Sequence, residues 1–396
     1  MDPYLNDWLN LLLRWLHVVA AIAWIGASFW FVYLDLQLRP PKRRADADEG
    51  VGGEFWAVHG GGFYHTQKYR VAPPTLPEEL HWVKWEAYTT WLSGLALFVV
   101  LYYANARSYL IDPAVADVSP AVAIGASLAL LAAAWVVYDL LCRLLGGNDR
   151  LLALLVGALT VAAAYGSSQI FSGRAAFLQV GAMLGTIMAA NVFFNIIPAH
   201  RELVRAKEEG REPDPAPGIG AKQRSVHNNY LTLPVVFAMV SNHFPLAYGR
   251  ERAWLVLLAF MAIGAWVRHF FNLRHRGRNV WWIPATAALA LVALAFALRP
   301  DDGAGVRERG EEAVSFVQVE PIVAERCAVC HSQSPTQAPS APAGVTLDTP
   351  DEIGARAAAI RRQVESGAMP PGNVTGMTDE ERDLLLAWIA QGAETR

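Results

Sequence analysis

Eight long apolar stretches dominate the chain, at 8–36, 86–104, 119–141, 151–171, 175–197, 228–243, 252–273 and 280–298. Each is close to the roughly 20 residues that a helix needs to cross a bilayer. In lipid the backbone must satisfy its own hydrogen bonds, so continuous apolar runs of this length form helices. The composition agrees, with 54% of residues hydrophobic and only 17% charged. The expected fold class is therefore all-α: an eight-helix transmembrane bundle in contact with membrane lipid, then a small soluble domain. The sixth stretch is the weakest, being short and interrupted by Pro234. A net charge of −3 gives no reason to expect a nucleic-acid partner. No basic region precedes the first apolar run, so the first helix itself is expected to direct insertion.

Lysine and arginine give the orientation, because cytoplasmic connections retain them. The odd connections are rich in them, from Arg39, Lys42, Arg43 and Arg44 in the first to Arg274, Arg276 and Arg278 in the seventh. The even connections carry few. With eight spans both termini then lie outside.

The second constraint is Cys327-Ala328-Val329-Cys330-His331. C-x-x-C-H is the attachment pattern of a c-type haem. Two thiols at this spacing add to the two vinyl groups of one porphyrin, and the histidine beside them ligates the iron. A class I cytochrome c takes a second axial ligand, usually methionine, and Met369 before Pro370-Pro371 is the natural candidate. A zinc site would need a further ligand pair, and no Cys or His follows His331. Haem is joined to such domains outside the bacterial cytoplasmic membrane, the side that the charge pattern gives independently. The third cysteine, Cys142, reads as a small buried side chain in an apolar helix.

The expected domains are a transmembrane unit over 1–298, a linker over 299–313 and a class I cytochrome c domain over 314–396. In the last, Thr378 and Glu381 form a capping-box pattern for a final helix with Leu384, Leu385, Trp388 and Ile389 on its apolar face. The first connection is too long for an idle turn and contains Gly60-Gly61-Gly62-Phe63-Tyr64-His65. The fifth, 198–227, is also long and polar and reads as a loop.

All but one of the ten histidines precede the linker. Most fall at cytoplasmic helix ends. His81, Lys84, Glu86, Thr89 and Thr90 begin the second span, and Asn191, Asn195 and His200 end the fifth. His227, Asn228, Asn229 and Tyr230 begin the sixth, while Arg268, His269 and Asn272 end the seventh. Each alone reads as an interfacial anchor. Together they suggest a cytoplasm-facing polar pocket, in which Asn and Arg hold a planar heterocycle and His or Lys acts as base. His17 lies within the first span, where an ionisable group marks function by default. Two readings stand for it. One is an axial ligand of a non-covalent haem b, with His243 the best partner by depth. The other is a histidine satisfied by a neighbouring helix or lining a polar cavity.

Three segments carry a family resemblance: Trp15-Leu16-His17 to Trp24-Ile25-Gly26, His81-Trp82-Val83-Lys84-Trp85-Glu86 to Ser93-Gly94, and Cys327–His331 with Met369-Pro370. In this order the chain resembles the bacterial integral-membrane urate oxidases with a C-terminal cytochrome c domain, the PuuD type. The resemblance implies oxidation of urate to 5-hydroxyisourate. It also implies electrons leaving through the covalent haem c to a respiratory acceptor, such as a soluble cytochrome c or a terminal oxidase. The implied location is the bacterial inner membrane, with the N-terminus and cytochrome domain periplasmic. An inner pocket and an outer haem would stand about 30 Å apart. Either urate binds near the outer face or a second redox centre, such as a haem b at His17, bridges the gap. The rival readings are a quinol-to-cytochrome c oxidoreductase and a non-enzymatic membrane anchor for a cytochrome.

Overall fold

The computed structural model describes residues 3–299, 313–338 and 341–395. Helix α1 spans Pro3–Gln37, and α2, Trp85–Phe98, continues as a π-helical turn over Val99–Tyr103. Next come α3, Pro120–Leu145, capped by Ser119, and α4, Asp149–Ser168, capped by Asn148. Helix α5, Gly173–Ala190, runs through a π turn at Asn191–Ile196 into α6, Ile197–Glu208. Then follow α7, Pro215–Ser241, α8, Ala253–His275, and α9, Trp282–Ala297. Among the described residues, five helical segments, including α1, α3, α4 and α8, are long and apolar enough to cross a membrane, and α9 is a shorter apolar helix.

Helix α7 is the hub, packed on both α5 and α8, while α1 lies chiefly along α2. The shared core is built from Tyr138, Met183, Leu184, Ile187, Ala238 and Leu257. At Gly181 an added Cβ would stand 2.8 Å from the Ala238 methyl. Small residues at this crossing let the helix backbones approach closely. Helix α1 is the opposite case. Leu11, Leu12, Trp15, Leu16, Val18, Val19 and Ile22 are exposed on it.

Two expectations are corrected. The first connection does not fit the expected all-α class. Residues Val51–His59 (β1) and Gly62–Tyr69 (β2) form an antiparallel hairpin, with His59 opposite Gly62. Gly60 and Gly61 both have positive φ, +57° and +83°, which a two-residue hairpin turn requires. The bundle is thus not purely α. The fifth connection is not a long loop either. Only 209–214 separate α6 from α7, which starts well before position 228. Asp214 caps α7, with Pro215 in its first turn, where a missing N–H costs nothing.

The C-terminal residues form a second helical unit: α10, Phe316–Val323, α11, Pro350–Ala355, α12, Ala357–Glu365, and α13, Asp379–Ala390. Its core is Phe316, Val319, Val323, Leu385 and Trp388. The Thr378–Glu381 capping box forms, with Thr378 Oγ1 accepting from the Glu381 N–H and Glu381 Oε2 from the Thr378 N–H. Nearly all of the expected linker, 299–313, lies outside the described residues. This unit touches the bundle at the end made by the second and sixth connections, through Gly372 against the Ser108 and Ile111 carbonyls and Gly249 against Ser366.

Candidate functional site

A layer of buried polar side chains crosses the half of the bundle remote from the C-terminal unit. Arg224, His227 and Asn228 stand at i, i+3 and i+4, on one face of α7. The π turn after α5 begins at Asn191, which is fully buried and donates to Tyr138 Oη at 3.0 Å and to Asn228 Oδ1 at 2.9 Å. Asn228 Nδ2 donates to the Met188 carbonyl at 3.0 Å. Tyr138 Oη and His227 Nδ1 are 2.8 Å apart. Arg224 Nη2 donates to Asp139 Oδ1 at 2.7 Å, and its guanidinium lies over the Tyr138 ring. Asn195 Nδ2 reaches the same carboxylate oxygen at 3.4 Å.

One residue further along α7 the layer continues towards α8 and α1. Arg268 Nε donates to Asn229 Oδ1 at 2.5 Å, and Asn229 Nδ2 donates to Asn272 Oδ1 at 3.1 Å. The Arg268 guanidinium also covers the Phe29 ring, 3.8 Å from its centroid. His269 Nδ1 lies 2.7 Å from Tyr230 Oη, and its ring stacks on Trp266.

Three atoms in this layer are buried with no partner among the described residues: Asn191 Oδ1, Arg224 Nη1 and Arg268 Nη2. Each unmet buried group costs about 1–3 kcal/mol. Native cores therefore hold few of them, and a concentration of them asks for an explanation. Two guanidinium donors, an amide acceptor and an aromatic face suit a planar, anionic, amide-rich ring.

No hydrogen bond joins the other sequence candidates to this layer among the described residues. His81 is exposed before α2, and Lys84 sits over the Trp82 and Trp85 rings, 5.8 Å and 5.6 Å from their centroids. Glu86 and Thr89 contribute backbone carbonyls, to Thr90 Oγ1 and Ser93 Oγ. Three members of the layer were absent from the sequence candidates: Tyr138, Asp139 and Arg224. Asp139 had a signal, as an acid inside an apolar stretch. Arg224 was hidden by the expectation of a loop.

His17 Nδ1 lies 3.0 Å from the Thr90 carbonyl and 3.2 Å from Ser93 Oγ on α2. Its ring rests on Gly94, where a Cβ would stand 2.8 Å from His17 Cε1. A carbonyl that accepts from Nδ1 fixes the tautomer and leaves Nε2 as the ligating atom. His243 follows the end of α7, within electrostatic reach of Arg14 and Arg174. No hydrogen bond or ring contact joins it to His17 among the described residues.

In the C-terminal unit, the Cys330 and His331 N–H groups both bond to the Cys327 carbonyl, at 3.1 Å and 2.9 Å. His331 Nδ1 is 3.1 Å from the Val345 carbonyl, again leaving Nε2 for a ligand. Burial, with Cys330 alongside, pushes the Cys327 thiol up to about 11. The Met369 N–H bonds to the Gln363 carbonyl. Two thiols, an oriented imidazole and a half-buried thioether fit the donor set of a haem c.

A family model described as urate oxidase N-terminal matches residues 3–299. The chain belongs to the urate oxidase N-terminal family. The match contains every residue of the buried layer and stops before Cys327, so the family describes the bundle and not the C-terminal unit. No curated protein and no solved structure matches the chain.

Proposed function

We propose that this member of the urate oxidase N-terminal family is a membrane-bound oxidoreductase that converts urate to 5-hydroxyisourate. The electrons pass to a haem c on its C-terminal unit and then to the respiratory chain. The observation that carries the reading is Arg268. It is bonded to Asn229, laid over Phe29 and left with a free buried Nη2, inside the stretch that the family model matches.

The balance is urate plus water giving 5-hydroxyisourate, two protons and two electrons, with a new C–O bond at C5. The residues of the layer would bind and orient the ring, with Arg268 and Arg224 facing its carbonyl oxygens and Asn191 accepting from a ring N–H. His227 and His269 each have Nδ1 beside a tyrosine hydroxyl, and in the tautomer in which Nδ1–H donates to that oxygen, Nε2 is open to take a proton from urate or the attacking water. Holding both partners in a dry layer supplies much of the rate. A haem c on Cys327, Cys330, His331 and Met369 would accept electrons one at a time, so each urate requires two transfers.

In this reading the protein is a multi-pass protein of the bacterial inner membrane with a periplasmic C-terminal unit. The layer and that unit sit at opposite ends of the bundle, so an intermediate carrier is needed. His17, with Nδ1 fixed and Nε2 free, is the residue suited to ligate a haem b there.

Urate added to anaerobic membranes containing the protein should reduce the cytochrome. Reduction by a quinol alone would favour quinol-to-cytochrome transfer, and reduction by neither would leave an anchor. Both outcomes sink the oxidase.

A further inference from the structure

We propose that the outer end of the bundle holds the 366–373 loop, which carries Met369, so that docking of the C-terminal unit sets the position of the methionine. The proposal rests on the haem c reading of the previous section, but its main readout does not.

Both ends of this loop meet the bundle backbone to backbone. At Gly249, which follows the short helix Pro245–Tyr248, an added Cβ would stand 1.6 Å from the Ser366 carbonyl oxygen and 2.6 Å from its carbon. At Gly372 a Cβ would stand 2.8 Å from the Ile111 oxygen and 2.9 Å from the Ser108 oxygen. No side chain can yield in either place, because the obstacles are peptide groups. Gly367 adds a third contact, its Cβ position lying 3.6 Å from Gly249 Cα. The seat is itself braced. The Gly249 N–H bonds to the Pro245 carbonyl at 2.7 Å, and the Tyr248 carbonyl presses on Gly173, the first residue of α5.

Within its own unit the loop is bonded at both ends: the Ser366, Gly367 and Met369 N–H groups bond to the Arg362, Val364 and Gln363 carbonyls, the Asn373 N–H bonds to Pro370, and the Asn373 side chain bonds to the Met377 backbone. Beside it lies a cleft of about 1110 Å³ between the two units, lined in part by Asp112, Arg174 and Arg382. The bundle adds close backbone contacts at both ends of the loop, on either side of Met369. Losing them lowers the free energy at which the segment opens locally. A methionine ligand raises the potential of a haem, so a displaced loop would lower it.

Gly249→Ala isolates the contact. Its φ of −87° suits any residue, and the methyl is opposed chiefly by the Ser366 carbonyl, with the Pro245 oxygen of its own turn next at 3.0 Å. Gly185→Ala on α5 is the control, because nothing stands within 4 Å of its added Cβ. Hydrogen exchange on the full-length holoprotein should show 366–373 and 108–111 exchanging on the order of tenfold faster in Gly249→Ala. Helix α13 and the Gly185→Ala protein should be unchanged. The haem midpoint potential should fall and the methionine–iron charge-transfer band weaken, with thioether attachment intact. Unchanged exchange in both segments overturns the docking. Faster exchange with an unchanged potential and band overturns the control of Met369. If Gly249→Ala yields too little folded protein, Asp112→Lys sets like charge against Arg382 at the same contact, and the same criteria apply. Exchange needs no urate, so failure of urate-driven reduction with these results intact counts against the function alone.

Discussion

Arg224 on α7 and Asp139 on α3 form an ion pair of 2.7 Å with side-chain exposures of 6% and 10%. The pair ties the two helices that also carry Tyr138 and His227. Breaking a buried pair by removing one partner leaves an uncompensated charge and costs about 3–5 kcal/mol. Asp139→Ala should therefore destabilise the bundle by that amount in denaturant unfolding in detergent. The Arg224→Met/Asp139→Leu double variant should recover most of the loss. A loss below about 1 kcal/mol for Asp139→Ala would show that solvent or Arg143 already screens the charge.

The second prediction concerns Arg268. Arg268→Lys keeps a cation but loses the planar fork that reaches Asn229 and covers Phe29. One hydrogen bond to a charged group is worth about 1.5–3 kcal/mol, equivalent to a fall of roughly ten- to a hundredfold in kcat/KM. Steady-state reduction of the cytochrome by urate reads this directly. A wild-type kcat/KM for this variant would place urate outside the layer.

The extent to which these features were readable in the sequence differs by type of interaction. Long apolar helices were legible because each carries its own signal, and so was the Thr378–Glu381 cap, a purely local pattern. The start of α7 was not. Lys222, Arg224 and His227 lower the hydropathy of its first turns, and only Asp139 on α3 makes Arg224 tolerable inside. That compensation crosses between helices far apart in sequence, and no window along the chain contains it. The β1–β2 hairpin failed for a milder reason: its Gly60-Gly61 turn was visible, but the polar connection around it read as loop. The kinds of residue in the buried layer, Asn, Arg and His at helix ends, could be picked out. Which of them hydrogen-bond to one another could not, and His81 and Lys84 make no hydrogen bond to the layer among the described residues.

The third prediction is a pH dependence. Bonds from Arg326 Nε and Nη2, at 3.0 Å and 2.9 Å, hold the Glu381 carboxyl below the usual glutamate range. A depressed carboxylate contributes stability above its unfolded value, about 4.3. That contribution is lost as pH falls through the lower folded value. The C-terminal unit should keep constant stability from about pH 5 upward and lose protection in α13 below about pH 4. Glu381→Gln should flatten this limb and lower the plateau, as hydrogen exchange of 379–390 would show. An acid limb of unchanged size in the variant would assign it to other carboxylates.

The fourth prediction tests the bridge between the two ends of the bundle. His17 is held by Thr90 and Ser93 against Gly94, so its ring cannot turn without losing a hydrogen bond or striking α2. Such fixing is what second-shell partners give a ligating histidine. A buried histidine satisfied by a neighbouring helix needs the same partners, so the haem content decides between the two readings. A pyridine haemochrome assay on full-length protein should resolve a b-type component beside the c-type one. His17→Ala should lose the b component, keep the c component and slow cytochrome reduction by urate. Gly94→Ala, which crowds the ring without deleting it, should give a weakened or shifted b signal. A c-type signal alone in the unmodified protein removes the haem b. Electron transfer would then require a urate site nearer the C-terminal unit, and the Arg268 prediction would fail with it.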